Sequence, residues 1–243
     1  QELDPVIFDQ IRALAENGIR FVAASGRQYP NLRRLFAPVQ DDISYIAENG
    51  SLCIHEGKTL SRGLIPRELG NRIVNAIHRC SGCECIISGE EVCYSDSRNE
   101  AFRDHMVHVV KNDMRFVDSI SEIKEPFLKI AVCNFDGTKD CLAYFQELFS
   151  HEIKVVTSGN IWVDFIAPGA SKGNALQTLL DHLHIAPEDC AAFGDQYNDV
   201  EMLQLAGTSY AMSNAAPGIS FYSTYVTDSV PEVLDDIISS VGI

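Results

Sequence analysis

Three short polar segments, far apart in the chain, carry residue types that together could hold a divalent cation and a tetrahedral anion. The first, Gly194-Asp195-Gln196-Tyr197-Asn198-Asp199, follows the apolar run Cys190-Ala191-Ala192-Phe193 and precedes a helical pattern. A buried strand that ends in Gly-Asp delivers a carboxylate to the edge of a sheet where α/β proteins bind their ligands. Asp195 is a candidate ligand for a hard cation such as Mg2+, Asp199 can support the metal from behind, and Asn198 can donate to a phosphate oxygen. The same residues also suit an ordinary helix start, because Asp and Asn cap helices and acids favour the positive end of the helix dipole.

The second segment is Ser25-Gly26-Arg27, at the end of the strand candidate Ile19-Arg20-Phe21-Val22-Ala23-Ala24 and ahead of a helical pattern through Leu32 and Leu35. A small hydroxyl, a glycine and the free N–H groups of a helix start can all donate to phosphate, although Ser-Gly is equally a common strand-to-helix turn. The third is Gly169-Ala170-Ser171-Lys172-Gly173-Asn174, where Lys172 opens an amphipathic helix carrying Leu176, Leu179, Leu180 and Leu183. Lysine faces the positive dipole end there, so its placement asks for a nearby anion, which a phosphate or a carboxylate would supply. A solvated surface lysine is the bland alternative.

In this order, and each at a strand end or helix start, Ser25, Lys172 and the trio Asp195, Asn198 and Asp199 resemble three of the four motifs of the haloacid dehalogenase superfamily phosphatases. The sugar-phosphatase-like Cof-type branch is the nearer likeness, through Ala23-Ala24-Ser25-Gly26-Arg27, Ile46-Ala47-Glu48-Asn49-Gly50, Ala170-Ser171-Lys172-Gly173 and Met212-Ser213-Asn214-Ala215. The resemblance runs over nearly the whole chain. It implies that Ser25 and Lys172 are catalytic and bind the transferring phosphoryl group. It further implies that Asn198 contacts the substrate, that Asp195 and Asp199 form the Mg2+ site, and that Gly26 and Arg27 lie on the substrate side.

One family feature is missing. The Asp-x-Asp-Gly-Thr segment, which in the family carries the aspartate nucleophile and the acid/base on the central strand, does not occur in the 243 residues. The expectation is that it precedes residue 1 in a longer polypeptide, with Gln1-Glu2-Leu3-Asp4-Pro5 leading into a helix containing Val6, Ile7, Ile11 and Leu14. A natural or engineered loss of catalysis is the alternative. Asn134-Phe135-Asp136-Gly137-Thr138 imitates the missing segment. It lies between the Ser25 and Lys172 motifs, an Asn amide cannot accept a phosphoryl group as a carboxylate does, and Asp-Gly after a strand is a frequent turn.

Around these motifs the chain alternates strand and helix over residues 1–62, changes to an α+β pattern over 63–165, and returns to alternation over 166–243. The middle stretch reads as a helix with Leu69, Ile73 and Ile77, a hairpin at Gly89-Glu90, a helix from Ala101 to Val110, a strand before Asn134 and a helix from Cys141 to Phe149. Two strands joined by Ser158-Gly159-Asn160 complete it. The expected fold is thus α/β, a doubly wound and mainly parallel Rossmann-like core split by an inserted α+β cap.

Hydrophobic content of 46% supports a sizeable core, and no apolar run reaches the roughly 20 residues a bilayer requires. With no signal peptide in the sequence, a cytoplasmic location is expected. A net charge of −15, from 34 acids against 19 Lys plus Arg, would repel nucleic acid; with no spanning run either, neither nucleic acid nor a membrane is expected as partner. The phosphate site must then be locally positive, through Lys172, the metal and helix starts. Cys80, Cys83, Cys85 and Cys93 do not form two separated pairs on turns, as a structural zinc site does, and are read as reduced, packed thiols; Cys83, Cys85 and Ile87 share one strand face. His182 and His184, two apart, do not share a helix face.

The function these features imply is Mg2+-dependent hydrolysis of a small phosphorylated metabolite, such as a sugar phosphate, through an aspartyl-phosphate. A non-catalytic phospholigand-binding protein and a sugar phosphomutase are the alternatives. The sequence leaves the substrate and the oligomeric state open.

Overall fold

Helical spacing puts Ile7, Ile11 and Leu14 on one stripe of the first helix, and the fold buries that stripe. The computed structural model describes residues 3–157 and 160–241. Its elements begin with α1 (Val6–Glu16), β1 (Val22–Ala24), α2 (Tyr29–Leu35), β2 (Ser44–Ala47), β3 (Leu52–His55) and β4 (Lys58–Arg62). They continue with α3 (Arg67–Ile77), β5 (Glu84–Ser88), β6 (Cys93–Ser95), α4 (Glu100–Asp104), β7 (Met114–Phe116), β8 (Lys129–Cys133), α5 (Lys139–Phe149), β9 (Lys154–Thr157) and β10 (Trp162–Ile166). The remainder are α6 (Lys172–Leu183), β11 (Ala191–Gly194), α7 (Val200–Leu205), β12 (Thr208–Met212), β13 (Tyr225–Thr227) and α8 (Val230–Ser240).

The chain divides into two compact units. One comprises Gln1–Gly26, Leu32–Ser61 and Ser171–Ile243, the other Arg27–Asn31 and Arg62–Ala170. Residues 27–31, which the sequence pattern groups with the first segment, cluster with the second unit. There the Gln28 side-chain amide donates to the Glu91 carbonyl (3.2 Å) and that of Asn31 to the Val110 carbonyl (2.9 Å).

In the first unit β1 and β2 are parallel, β2 and β3 antiparallel, and β4 completes the order β1-β2-β3-β4; β11, β12 and β13 form a separate parallel sheet. Among the described residues β1 pairs only with β2 and β11 only with β12, so each has one open edge. Helix α6 joins the two sheets. Its Ala175, Leu176, Leu179 and Leu180 share one apolar cluster with Ile46 and Cys53 of the first sheet and Ala192 and Ala211 of the second. Each leucine so buried contributes about 1.5–3 kcal/mol. The helix starts where its sequence demands, with the Ser171 hydroxyl accepting from the Asn174 N–H (3.1 Å) as the N-cap.

The second unit is built on a six-stranded sheet of order β7-β6-β5-β8-β10-β9, antiparallel except for β6 beside β7. Strand alternation sorts its residues. Cys85, Ile87, Ile130, Val132, Val163 and Phe165 pack under α3 and α5, while Ile86, Ala131 and Cys133 meet Phe102 and Met106 on the opposite face. All eight cysteines are free thiols; burial pushes Cys85 well above the usual thiol range and Cys133 up to about 12. Asn134-Phe135-Asp136-Gly137 forms a turn in which the Asn134 side chain accepts from the Asp136 N–H (3.0 Å), with Gly137 at φ 107°.

Three features differ from the sequence pattern. The hairpin of β3 and β4 turns on Glu56 and Gly57, both at positive φ, and Glu is an unusual occupant of such a position. The helix expected through Val110 is α-helical only to Asp104 and then widens into a π-helical turn over His105–Val110, a stretch rich in β-branched residues. Strand β7 is three residues long and escapes a periodicity argument. Ser158 and Gly159 of the expected turn before Asn160 lie outside the described residues. No helix among them is long and apolar enough to cross a membrane.

Ser44 and His55, on neighbouring strands, are buried together with Oγ and Nδ1 2.8 Å apart. Burial lowers the His55 pKa from its ordinary 6.5; Arg20 and His182 push the same way, and Glu56 opposes them. The unfolded chain therefore protonates this ring more readily than the native one, so its contribution to stability is present above the ordinary value and is lost as pH falls below it. Urea midpoints should drop between about pH 7.5 and about pH 5.5, and drop less in His55→Gln. Equal drops in both proteins would contradict this.

Candidate active site

The anion that Lys172 requires is Asp199. The Lys172 Nζ lies 2.5 Å from Asp199 Oδ1, with the two side chains only 7% and 3% exposed. Oδ2 of the same carboxylate accepts from the N–H groups of Asp195 (2.9 Å) and Gln196 (3.0 Å). A buried ion pair is favourable only when its remaining hydrogen-bonding capacity is met, and here one carboxylate gathers three donors. The result is a tie between the start of α6 and the turn after β11. Close backbone approach makes it possible: a Cβ on Gly194 would lie 2.6 Å from the Asp199 Cβ, and one on Gly173 would lie 2.6 Å from the Glu201 Cβ. An ammonium has three donors. Among the described residues Asp199 is the one side-chain acceptor that Lys172 meets, which leaves N–H capacity for an anion.

A second turn completes the site. Glu48, Asn49 and Gly50 take left-handed backbone in succession, at φ 50°, 58° and 90°. Two adjacent non-glycine residues in that region store strain, which persists only where the surroundings hold it. The Asn49 N–H donates to the Ser25 carbonyl (3.1 Å), and the Ser25 N–H donates to that of Ile46 (2.8 Å). Gly50 lies so close to α6 that a Cβ would fall 2.1 Å from the Ser171 carbonyl oxygen. The Asn198 Nδ2 in turn donates to Asn49 Oδ1 (2.8 Å), and a Cβ on Gly26 would lie 2.8 Å from that same oxygen. Ser25, Gly26, Asn49, Lys172, Asp195, Asn198 and Asp199 are thereby linked in one network at the ends of β1 and β11.

The expected residues have different fates within it. Asp199, expected near a metal, is buried with both oxygens occupied, so it holds Lys172 and the turn rather than presenting a free ligand. Asp195 and Asn198 are exposed, and the Asp195 backbone is fixed by the Ala216 N–H donating to its carbonyl (2.8 Å). Arg27 groups with the second unit rather than with this network. As for Mg2+, no cluster of three or more His, Cys, Asp or Glu among the described residues is arranged for a metal. An exposed carboxylate at Asp195 nonetheless suits an ion that characteristically takes one or two carboxylates and fills its octahedron with water and phosphate oxygens.

Sequence reasoning gave no role to Asn49, Gly50, Gly173 and Gly194. The Asn-Gly pair was the available signal, since those two residues tolerate left-handed backbone best. Gly50→Ala combines a left-handed penalty of about 1–2 kcal/mol with overpacking of about 1–3 kcal/mol. Urea denaturation should show a loss of roughly 2–5 kcal/mol, and a loss below about 0.5 kcal/mol would contradict the packing described.

Comparison with known proteins identifies the family. A family model described as haloacid dehalogenase-like hydrolase matches residues 1–235. The chain is 28% identical over 235 residues to 5-amino-6-(5-phospho-D-ribitylamino)uracil phosphatase YbjI of Escherichia coli (strain K12), covering 94% of this chain and 87% of that protein. It is 26% identical over 211 residues to an HMP-PP phosphatase of Escherichia coli O6:H1, covering 84% and 75% respectively. A crystal structure from Eubacterium rectale superposes with a TM-score of 0.87 at 28% identity, covering 97% of this chain and 92% of that one. The chain belongs to the haloacid dehalogenase-like hydrolases.

Proposed function

We propose that this chain forms the phosphate- and Mg2+-binding part of a phosphomonoesterase acting on a small phosphorylated metabolite. The observation that carries the reading is the Lys172 ammonium, fixed by Asp199 beside the exposed Asn198 and Asp195. A sugar phosphate, or a phosphorylated intermediate of the kind named for the two Escherichia coli relatives, is the substrate class in view. The second unit is read as the family's inserted cap, the element expected to govern substrate choice.

Phosphoryl transfer asks a protein mainly for positioning and for charge stabilisation on the equatorial oxygens. Lys172 would supply a cation held in place before substrate arrives, and Asn198 and Ser25 would add neutral donors. Asp195 would hold Mg2+, which when bound neutralises phosphate charge. By the family likeness, an aspartate carboxylate attacks phosphorus, the ester P–O bond breaks, and the alcohol leaves with a proton from an acid. Water then hydrolyses the aspartyl-phosphate. That aspartate belongs to an Asp-x-Asp-Gly-Thr strand, and the open edges of β1 and β11 are where such a strand would pair.

The test is phosphate release by the complete protein, with Mg2+, from a panel of phosphorylated metabolites. Lys172→Met should lower turnover at least ~100-fold, the scale of a lost oxyanion donor. Methionine also leaves the buried Asp199 charge without its cation, at a cost of about 3–5 kcal/mol in stability. Turnover is therefore compared below the variant's own melting temperature. Near-normal turnover there would overturn the assignment. Asp195→Asn should raise the Mg2+ concentration needed for half-maximal rate by at least ~10-fold, and an unchanged Mg2+ requirement would remove Asp195 from the metal site.

A further inference from the structure

We infer that Asn49 is a positioning residue for the phosphate, acting through Asn198. The inference rests on the phosphate-binding reading above. A side-chain amide nitrogen carries two hydrogens in a fixed plane, so holding one of them aims the other. Asn198 is exposed and would otherwise rotate freely, yet its Nδ2 donates to Asn49 Oδ1 at 2.8 Å. The acceptor itself is rigid. Asn49 is 7% exposed, its N–H is bound by the Ser25 carbonyl, and its backbone sits at φ 58°, ψ 29°.

Two further observations favour a positioning role over a turn that merely needs a left-handed residue. Glycine would serve such a turn with less strain, so an asparagine with its amide aimed at Asn198 answers a different need. Room for that amide is made by Gly26, where any Cβ would come within 2.8 Å of Asn49 Oδ1. Asn49 also reaches both sides of the site, through its N–H to Ser25 and through its side chain to the residue beside Asp199, which holds Lys172. The second Asn198 N–H is thus set relative to the Lys172 ammonium before any anion binds.

Titration calorimetry with inorganic phosphate in the presence of Mg2+ tests this without requiring turnover. Asn49→Gly keeps the left-handed turn and removes the acceptor; it should weaken phosphate binding about 10-fold while melting within a few degrees of the wild type. Asn198→Ala should weaken binding by a similar factor, and the double variant should be no weaker than Asn198→Ala alone, because the two side chains act as one unit. Gly26→Ala displaces the Asn49 amide without removing it, should give the same loss, and carries the test if Asn49→Gly fails to fold. Wild-type affinity in Asn49→Gly, or losses that multiply to about 100-fold in the double variant, would overturn the inference. Lys172→Met separates this from the underlying reading. If it loses phosphate affinity while Asn49→Gly does not, only the role of Asn49 falls; if the wild type binds no phosphate, or Lys172→Met binds as tightly as wild type, the phosphate site falls with it.

Discussion

A lysine ammonium buried at the positive end of a helix dipole is an unfavourable placement, and the organisation of this site follows from how the chain offsets it. Lys172 has Asp199 at 2.5 Å, and Asp199 is held in turn by two backbone N–H groups of its own turn. The pair fixes two segments that are distant in sequence, the start of α6 and the turn after β11. It also fixes the cation at a site where part of its hydrogen-bonding capacity is left for an anion. A free surface lysine is ordered only when it meets an anion; this one is ordered by the fold, the condition that electrostatic preorganisation would need.

The glycines express the same constraint in backbone terms. Gly50, Gly173 and Gly194 each occupy a place where a Cβ would come within 2.6 Å or less of a neighbouring atom, on Ser171, Glu201 and Asp199 respectively. Strain at Glu48 and Asn49 is tolerated because Gly50 packs on Ser171 and the Asn49 N–H is bound by Ser25. The hydrophobic part is the leucine face of α6, which packs against both a mixed sheet and a parallel one and so holds the helix that Lys172 opens. Packing places the helix, and the polar network then sets the positions of individual groups.

Much of this was legible from residue types and order. The strand-end Ser25, the helix-start Lys172 and the Gly-Asp at 194–195 each marked a polar group at the end of an apolar run, and the helix begins at Lys172 because Ser171 caps it. The partner of Lys172 was not legible, since a phosphate and a carboxylate answer the same electrostatic need and only tertiary structure chooses between them. Asn49 was hidden for a similar reason. An Asn-Gly pair reports a left-handed turn, while the direction of its amide depends on residues 149 positions away. The β3–β4 hairpin escaped because Glu56 is an unusual residue for its backbone, and β7 because three residues carry no period.

The central claim is that the Lys172–Asp199 pair, Asn198 and Asp195 surround one anion and one metal ion. The most direct measurement is a crystal structure of the protein grown with Mg2+ and tungstate, a heavy tetrahedral anion located by its anomalous scattering. The account predicts tungstate within hydrogen-bonding distance of Lys172 Nζ and Asn198 Nδ2, with Mg2+ on the Asp195 carboxylate. Tungstate bound elsewhere, with these groups facing only solvent, would contradict it.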